Sequence, residues 1–189
     1  MKNLVRVVAM GVAVALSAQA AQAQTGVSLG LGGGAAVPTG SMADGAKTGW
    51  SSEVVARVKP AASPIGLQLD GFYNRFGLEG GIDGNSRMIG GTANAVFAFP
   101  MGGRARPYLI GGVGVYNGKT TITGLGSSEA ETKFGANAGA GLDVGLGKSA
   151  ALFAEGRFHA IFKGALDQTT LQDETAYMVP VTLGLRWAL

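Results

Sequence analysis

Apolar and polar side chains alternate with a period of two along most of this chain, and the pattern is sharpest at the C-terminus. Tyr177, Val179, Val181, Leu183, Leu185, Trp187 and Leu189 share one parity; Met178, Pro180, Thr182, Gly184, Arg186 and Ala188 share the other. Successive side chains of a strand point to opposite faces, so this segment reads as a strand with one uniformly apolar face. The same period recurs upstream, predicting strands at roughly 27–37, 50–59, 65–76, 87–99, 108–117, 134–146 and 151–162.

The faces can be assigned for most of them. Val27, Leu29, Leu31, Gly33, Ala35 and Val37 form one face of the first strand. In the second, Trp50, Val54, Ala56 and Val58 oppose Ser51, Glu53, Arg57 and Lys59; in the third, Ile65, Leu67, Leu69 and Tyr73 oppose Gln68, Asp70 and Asn74. In the fourth, Ile89, Ala93, Ala95, Phe97 and Phe99 oppose Thr92 and Asn94. Between 108 and 117 both parities are apolar or glycine, so the facing stays unassigned, a pattern that a bulge would also produce. The sixth alternates Phe134, Ala136, Ala138, Ala140, Leu142, Val144 and Leu146 with Gly135, Asn137, Gly139, Gly141, Asp143 and Gly145. The seventh sets Glu155, Arg157 and His159 against Leu152, Ala154, Phe158 and Ala160.

Polar connections follow the first, third, fifth and seventh strands, the longest at 118–132 and another at 163–176; short turns follow the second, fourth and sixth. Eight strands of about ten residues with alternating long and short connections predict an all-β fold, an eight-stranded antiparallel up-and-down transmembrane β-barrel. On that reading the apolar parity faces lipid and the charged parity faces inward. The long loops lie outside the cell, and the even strand count leaves both termini periplasmic. A barrel of eight strands has a lumen wide enough only for its own side chains, which argues against a general diffusion pore. Trp50, Tyr73, Tyr116 and Tyr177 would form the outer aromatic girdle, with Phe97, Phe99 and Trp187 the inner one.

The N-terminus supplies the compartment. Lys2 and Arg6, the apolar run 7–16 and the small-residue sites Ala18-Gln19-Ala20 and Ala21-Gln22-Ala23 fit a secretory signal, with cleavage expected after Ala23 and a barrel domain over residues 24–189. The apolar run is shorter than the roughly 20 residues a spanning helix needs. Losing Lys2 and Arg6, with no acid, lowers the net charge from +3 to +1, and no basic cluster remains to attract nucleic acid. There is no cysteine for a disulfide or a lipid anchor. The 33 glycines follow no triplet period and sit within the alternating segments, where they leave room for large side chains opposite. Gly30 to Gly34 and Gly112 to Gly114 are read in the same way, because no phosphate-cradling helix follows either group.

The end of the first Gly-rich strand at Pro38-Thr39-Gly40, the segment from Pro107 to Tyr116 and the terminal strand from Val179 to Trp187 resemble the small outer-membrane β-barrel domain family related to OmpX and the OmpA transmembrane domain. The resemblance covers nearly all of residues 24–189 and implies an architecture more than an activity. It implies that the barrel-assembly machinery reads the terminal strand, which in the family usually ends in an aromatic residue. Here Trp187 stands third from the end and Leu189 last.

The inward charges are the candidate site, because ionised groups within a membrane domain are functional by default. Glu53, Arg57, Asp70, Asp143, Glu155, Arg157, His159 and Arg186 form the expected lumen network, with Arg57 and Asp70 within reach of each other across the short second turn. Opposite charges dominate, so the network reads as packing that neutralises itself. A Ser/His/acid arrangement of the kind lipid A deacylases use lacks an evident serine beside the single histidine, and one histidine without cysteine offers no metal cluster. No catalytic residue, metal or cofactor is expected. Arg75 and Arg87, on apolar parities near the second long loop, are candidate contacts for outer-membrane lipid headgroups, including lipopolysaccharide phosphates; ordinary interfacial anchoring is the plainer alternative. The external partner of the loops is unknown. The expected function is a non-enzymatic structural envelope protein whose loops carry adhesion or binding. The alternatives are a narrow small-molecule or ion conduit, a lipid-modifying enzyme, and a soluble lipocalin-like barrel with its apolar parity inside.

Overall fold

The computed structural model of the chain describes residues 25–60, 63–162 and 175–189. The expected signal segment 1–23 and residues 163–174 of the last predicted loop lie outside the described residues. Eight long strands, β1 (Thr25–Thr39), β2 (Gly49–Pro60), β3 (Ile65–Gly77), β4 (Gly84–Ala98), β5 (Ala105–Ile122), β7 (Glu131–Gly145), β8 (Ala150–Ile161) and β9 (Ala176–Ala188), make the wall; β6 (Gly126–Ser127) is a two-residue addition to β5. The order β4-β3-β2-β1-β9-β8-β7-β5 is closed by a β4–β5 pairing, and every pairing is antiparallel. Closure satisfies the backbone donors and acceptors between strands, which a sheet in hydrocarbon requires. The wall strands have 12 to 18 residues, more than the roughly 9–11 needed to cross a bilayer at a tilt.

Side-chain facing follows the alternation. Leu67, Val113 and Leu183 are 65, 64 and 61% exposed, and they belong to an apolar belt that includes Leu29, Leu31, Val54, Leu109, Phe134, Leu152 and Leu185. A soluble monomer does not carry an apolar surface of this extent. Glu53, Arg57, Asp70, Glu155, Arg157 and Arg186 are buried inside. Leu142 points outward while the side chain of Asp143 is 16% exposed and ion-paired in the lumen, the reverse of a lipocalin-like arrangement.

Several elements differ from the sequence expectation. The strand of unassigned facing has an unbroken register with both neighbours, so it contains no bulge. Tyr108, Ile110 and Tyr116 point inward and Leu109, Val113 and Val115 outward. Tyr116 is therefore a core residue and not part of the outer girdle. Phe72, Phe76 and Phe153 also fill the lumen, where the polar parity alone predicts only hydrophilic groups. The segment 118–132 is mostly not loop: β5 runs on to Ile122, β6 pairs with its end, and β7 begins at Glu131. β4 starts at Gly84, earlier than expected, and Ala176 belongs to β9 rather than to the last loop.

Glycine placement explains how so narrow a barrel holds these rings. A Cβ at Gly32 would lie 2.9 Å from Phe153 Cζ, and one at Gly135 would lie 2.8 Å from Tyr116 Cε2; Gly184, Gly90 and Gly141 face Phe153, Phe72 and Tyr108 in the same manner. Each ring occupies the space that a neighbouring strand leaves by having no side chain. Both ends of the described chain lie at the end carrying the short connections, the turn end. At the opposite, loop end, the 3-10 turn Gly40–Met42 leads to a bridge between Ala46 and Leu78, and Lys47 N–H donates to Gly77 O at 2.9 Å.

Candidate functional site in the barrel lumen

The middle of the lumen is organised around Arg157 of β8. Its Nη1 donates to Asp70 Oδ2 at 2.9 Å, its Nη2 to Glu53 Oε2 at 2.8 Å, and its Nε lies 2.7 Å from Glu155 Oε1. All four side chains are buried, at 4% exposure or less. Asp70 also accepts from Gln68 Nε2 at 2.7 Å, Thr92 Oγ1 at 2.9 Å and Asn94 Nδ2 at 2.6 Å, while Asn137 Nδ2 donates to Asn94 Oδ1 at 2.8 Å. Three carboxylates converging on one guanidinium would repel one another without it, and the surrounding amides and hydroxyl supply further donors to Asp70. β3 and β8 stand four strands apart in either direction around the barrel, so the Arg157–Asp70 pair crosses its full width.

A second charged layer lies toward the turn end. Arg57 of β2 donates through Nη1 to Asp143 Oδ2 of β7 at 3.0 Å, another pair of opposite strands, and Arg186 Nη1 donates to Asp143 Oδ1 at 2.7 Å. Arg57 Nε donates to Gln68 Oε1 at 2.6 Å, its guanidinium lies 4.3 Å from the Tyr108 ring centre, and Tyr108 Oη donates to Glu155 Oε2 at 2.7 Å. Phe153 supplies a ring 4.9 Å from the guanidinium of Arg186. Arg57 and Asp70 are thus not partners. They share Gln68 as an intermediary, and each charge reaches across the lumen to a strand far away in sequence.

Toward the loop end the lumen becomes aromatic. Tyr116 Oη and His159 Nδ1 are 2.9 Å apart, and the rings of Phe72, Tyr116 and His159 pack with centres 5.5 to 6.0 Å apart. Met178, Phe76 and Ile161 complete the layer, and Asn74 Nδ2 donates to Met178 Sδ at 3.6 Å. His159 therefore belongs to this plug rather than to the charged ladder in which the sequence places it. It faces inward at 1% exposure and bonds a phenol rather than a serine. No group of histidine, cysteine and carboxylate side chains suited to a metal stands among the described residues. The sequence reading misses Tyr108, Tyr116, Thr92, Asn94, Asn137 and Gln68 as members of the network. The inward parity of the four non-aromatic residues was the available signal.

On the outer wall Arg75 and Arg87 are exposed near the loop end and stand directly opposite each other in the β3–β4 register. Trp50 opposes Arg75 on β2, and Lys119 opposes Arg87 on β5. Aromatic pairs mark both rims: Trp50 with Tyr73 and Phe158 with Tyr177 toward the loops, Phe97 with Phe99 toward the turns, each with centres 5.2 to 5.3 Å apart.

A closed antiparallel barrel with a lipid-facing apolar belt and a lumen filled by its own side chains defines a small transmembrane β-barrel. The sequence matches the outer membrane protein beta-barrel domain family over residues 7–186, and the chain belongs to that family, whose members reside in the bacterial outer membrane. Among solved structures it is similar to Neisserial surface protein A (TM-score 0.60, 19% identity, covering 86% of this chain and 96% of that one). A major outer membrane protein of Thermus thermophilus gives a TM-score of 0.57 at 12% identity, covering 87% and 99%. Ail, the attachment invasion locus protein of Yersinia pestis, in complex with the heparin analogue sucrose octasulfate, gives 0.55 at 16%, covering 88% and 98%. These likenesses show the fold. No curated protein matches the sequence.

Proposed function

We propose that the protein is a non-enzymatic, non-conducting outer-membrane barrel, a structural element of the envelope that presents its loop end to the outside for binding. The observation that carries this reading is the pair of cross-lumen bonds between opposite strands, Arg157 to Asp70 and Arg57 to Asp143. A conduit would need both to part, which breaks two charge-assisted bonds that span the lumen. The enzymatic alternative has little to work with. Lipid substrates lie against the outer wall, whereas His159 is enclosed within it.

The proposed orientation has both termini and the short turns in the periplasm, and C-terminal recognition by the assembly machinery through β9. The row Arg75, Arg87 and Lys119 supports a further contact. Like charges directly opposite one another in a sheet are destabilising on their own, and phosphates of the outer leaflet, such as those of lipopolysaccharide, would relieve the repulsion. The absence of native cysteine permits a clean test of the topology. A Leu125→Cys variant should react with a membrane-impermeant maleimide on intact cells, and Ser149→Cys only after permeabilisation. The opposite labelling would invert the orientation, and recovery of the protein in the soluble periplasmic fraction would refute the reading altogether.

A further inference from the structure

The lumen is open at its turn end, where a cavity of about 700 Å³ reaches down to the Arg57, Asp143 and Arg186 layer. Its charge is one-sided. Arg57, Lys59, Arg106, Lys148 and Arg186 line it against the single carboxylate of Asp143. Asp143 already serves Arg57 and Arg186 together. Lys59, Arg106 and Lys148 form no ion pair among the described residues, although Lys59 and Arg106 lie on the inward parity of β2 and β5.

The arginines themselves retain donors. Arg186 uses only Nη1 on Asp143; its Nε and Nη2, the two donors on the side-on edge of the guanidinium, are buried without a hydrogen-bond partner among the described residues. Arg57 Nη2 is likewise unbonded, with only Glu155 Oε2 at 3.9 Å. That edge of a guanidinium is the one a carboxylate or phosphate grips with two parallel bonds, and buried donors without partners are rare in folded proteins. Across the cavity the turn residues Pro100 and Met101 present apolar surface. A volume of this size falls within the range of small-molecule sites.

We infer that this vestibule binds a small organic phosphate: a dianionic phosphoryl group held by Arg106 and Lys148 over the uncompensated charge of Arg186, with its organic body against Pro100 and Met101. A phosphoryl group suits the site better than a single carboxylate, since it brings up to two charges and three strong acceptor oxygens to a surplus of cations. The binding does not depend on which compartment the turn end faces. On the proposed orientation the ligand comes from the periplasm or from the headgroup of an inner-leaflet phospholipid.

The folded full barrel in maltoside micelles should be titrated with glycerol 3-phosphate by calorimetry, with glycerol as the uncharged control. Saturable binding is expected, about tenfold weaker when salt is raised to roughly 0.5 M, because part of the site is open to screening. Arg106→Gln with Lys148→Gln, neither residue taking part in the cross-lumen network, should weaken it at least tenfold while circular dichroism and the heat-induced gel shift stay unchanged. Displacement of glycerol 3-phosphate by short-chain phosphatidic acid would assign the headgroup source; binding that the lipid does not compete with would assign a soluble ligand. No saturable binding at low salt, equal binding of glycerol, or binding untouched by the double substitution would overturn the inference.

Discussion

Arg157 and Asp70 lie on opposite walls of the barrel, on β8 and β3, and are joined by a 2.9 Å bond from Nη1 to Oδ2. The pair holds the lumen closed at its middle and gathers Glu53 and Glu155 around the same guanidinium. Replacing Arg157 by Met would leave three buried carboxylates facing one another, with an expected loss of about 3–5 kcal/mol in urea unfolding from lipid vesicles. Arg157→Lys should fall between wild type and Met, since an ammonium keeps the charge but not the three-sided fork. Equal stability of Arg157→Met and wild type would remove the strut from the account.

The ring-on-glycine packing makes a separate prediction. A methyl at Gly32 meets side chains only in its two shortest contacts, the Thr182 methyl and the Phe153 ring. Gly32→Ala should destabilise by about 1–3 kcal/mol, as overpacked cores do. Combined with Phe153→Leu, the two changes should be non-additive, coupled by about 0.5–3 kcal/mol. Gly71, with nothing near its Cβ direction, is the control: its change to Ala should be neutral or stabilising.

The lipid-facing assignment is tested by placing the same substitution at two leucines. Leu31, midway along β1 and 58% exposed, faces the belt; Leu125, 84% exposed, sits at the tip beyond β5. Leu31→Arg should cost roughly 2–4 kcal/mol of folding free energy in bilayers and Leu125→Arg close to nothing. Equal costs would mean that β1 turns its other face to lipid.

The wall of this barrel was legible in the sequence because lipid on one side and a narrow lumen on the other impose a strict period of two, as the run from Phe134 to Gly145 shows. What the period does not carry is which inward residues meet. The sequence makes Arg57 a partner for Asp70 because the chain brings β2 and β3 together, but each guanidinium is long enough to cross the lumen. Strand stagger then decides that Arg57 finds Asp143 and Arg157 finds Asp70. β5 was unreadable for a related reason. Its inward face bears Tyr108 and Tyr116 and its outward face Leu109, Val113 and Val115, so both parities look apolar until Gly141 and Gly135 are seen to accommodate the two rings.

His159 distinguishes packing from chemistry. If its role is the bond to Tyr116, then His159→Gln and Tyr116→Phe should each lower stability by about 1 kcal/mol, the usual worth of one hydrogen bond, and leave the barrel folded. Purified wild type incubated with lipid A should release no fatty acid. Acyl release that His159→Gln abolishes in a folded barrel would establish an enzyme instead.

Single-channel recording of the folded protein in planar bilayers tests the central claim most directly. With Arg157 bonded across to Asp70 and Arg57 across to Asp143, wild type should insert without giving stable conductance. Steady ion-conducting openings from the wild-type barrel would show that the cross-lumen pairs do not close it, and the structural reading would give way to the conduit.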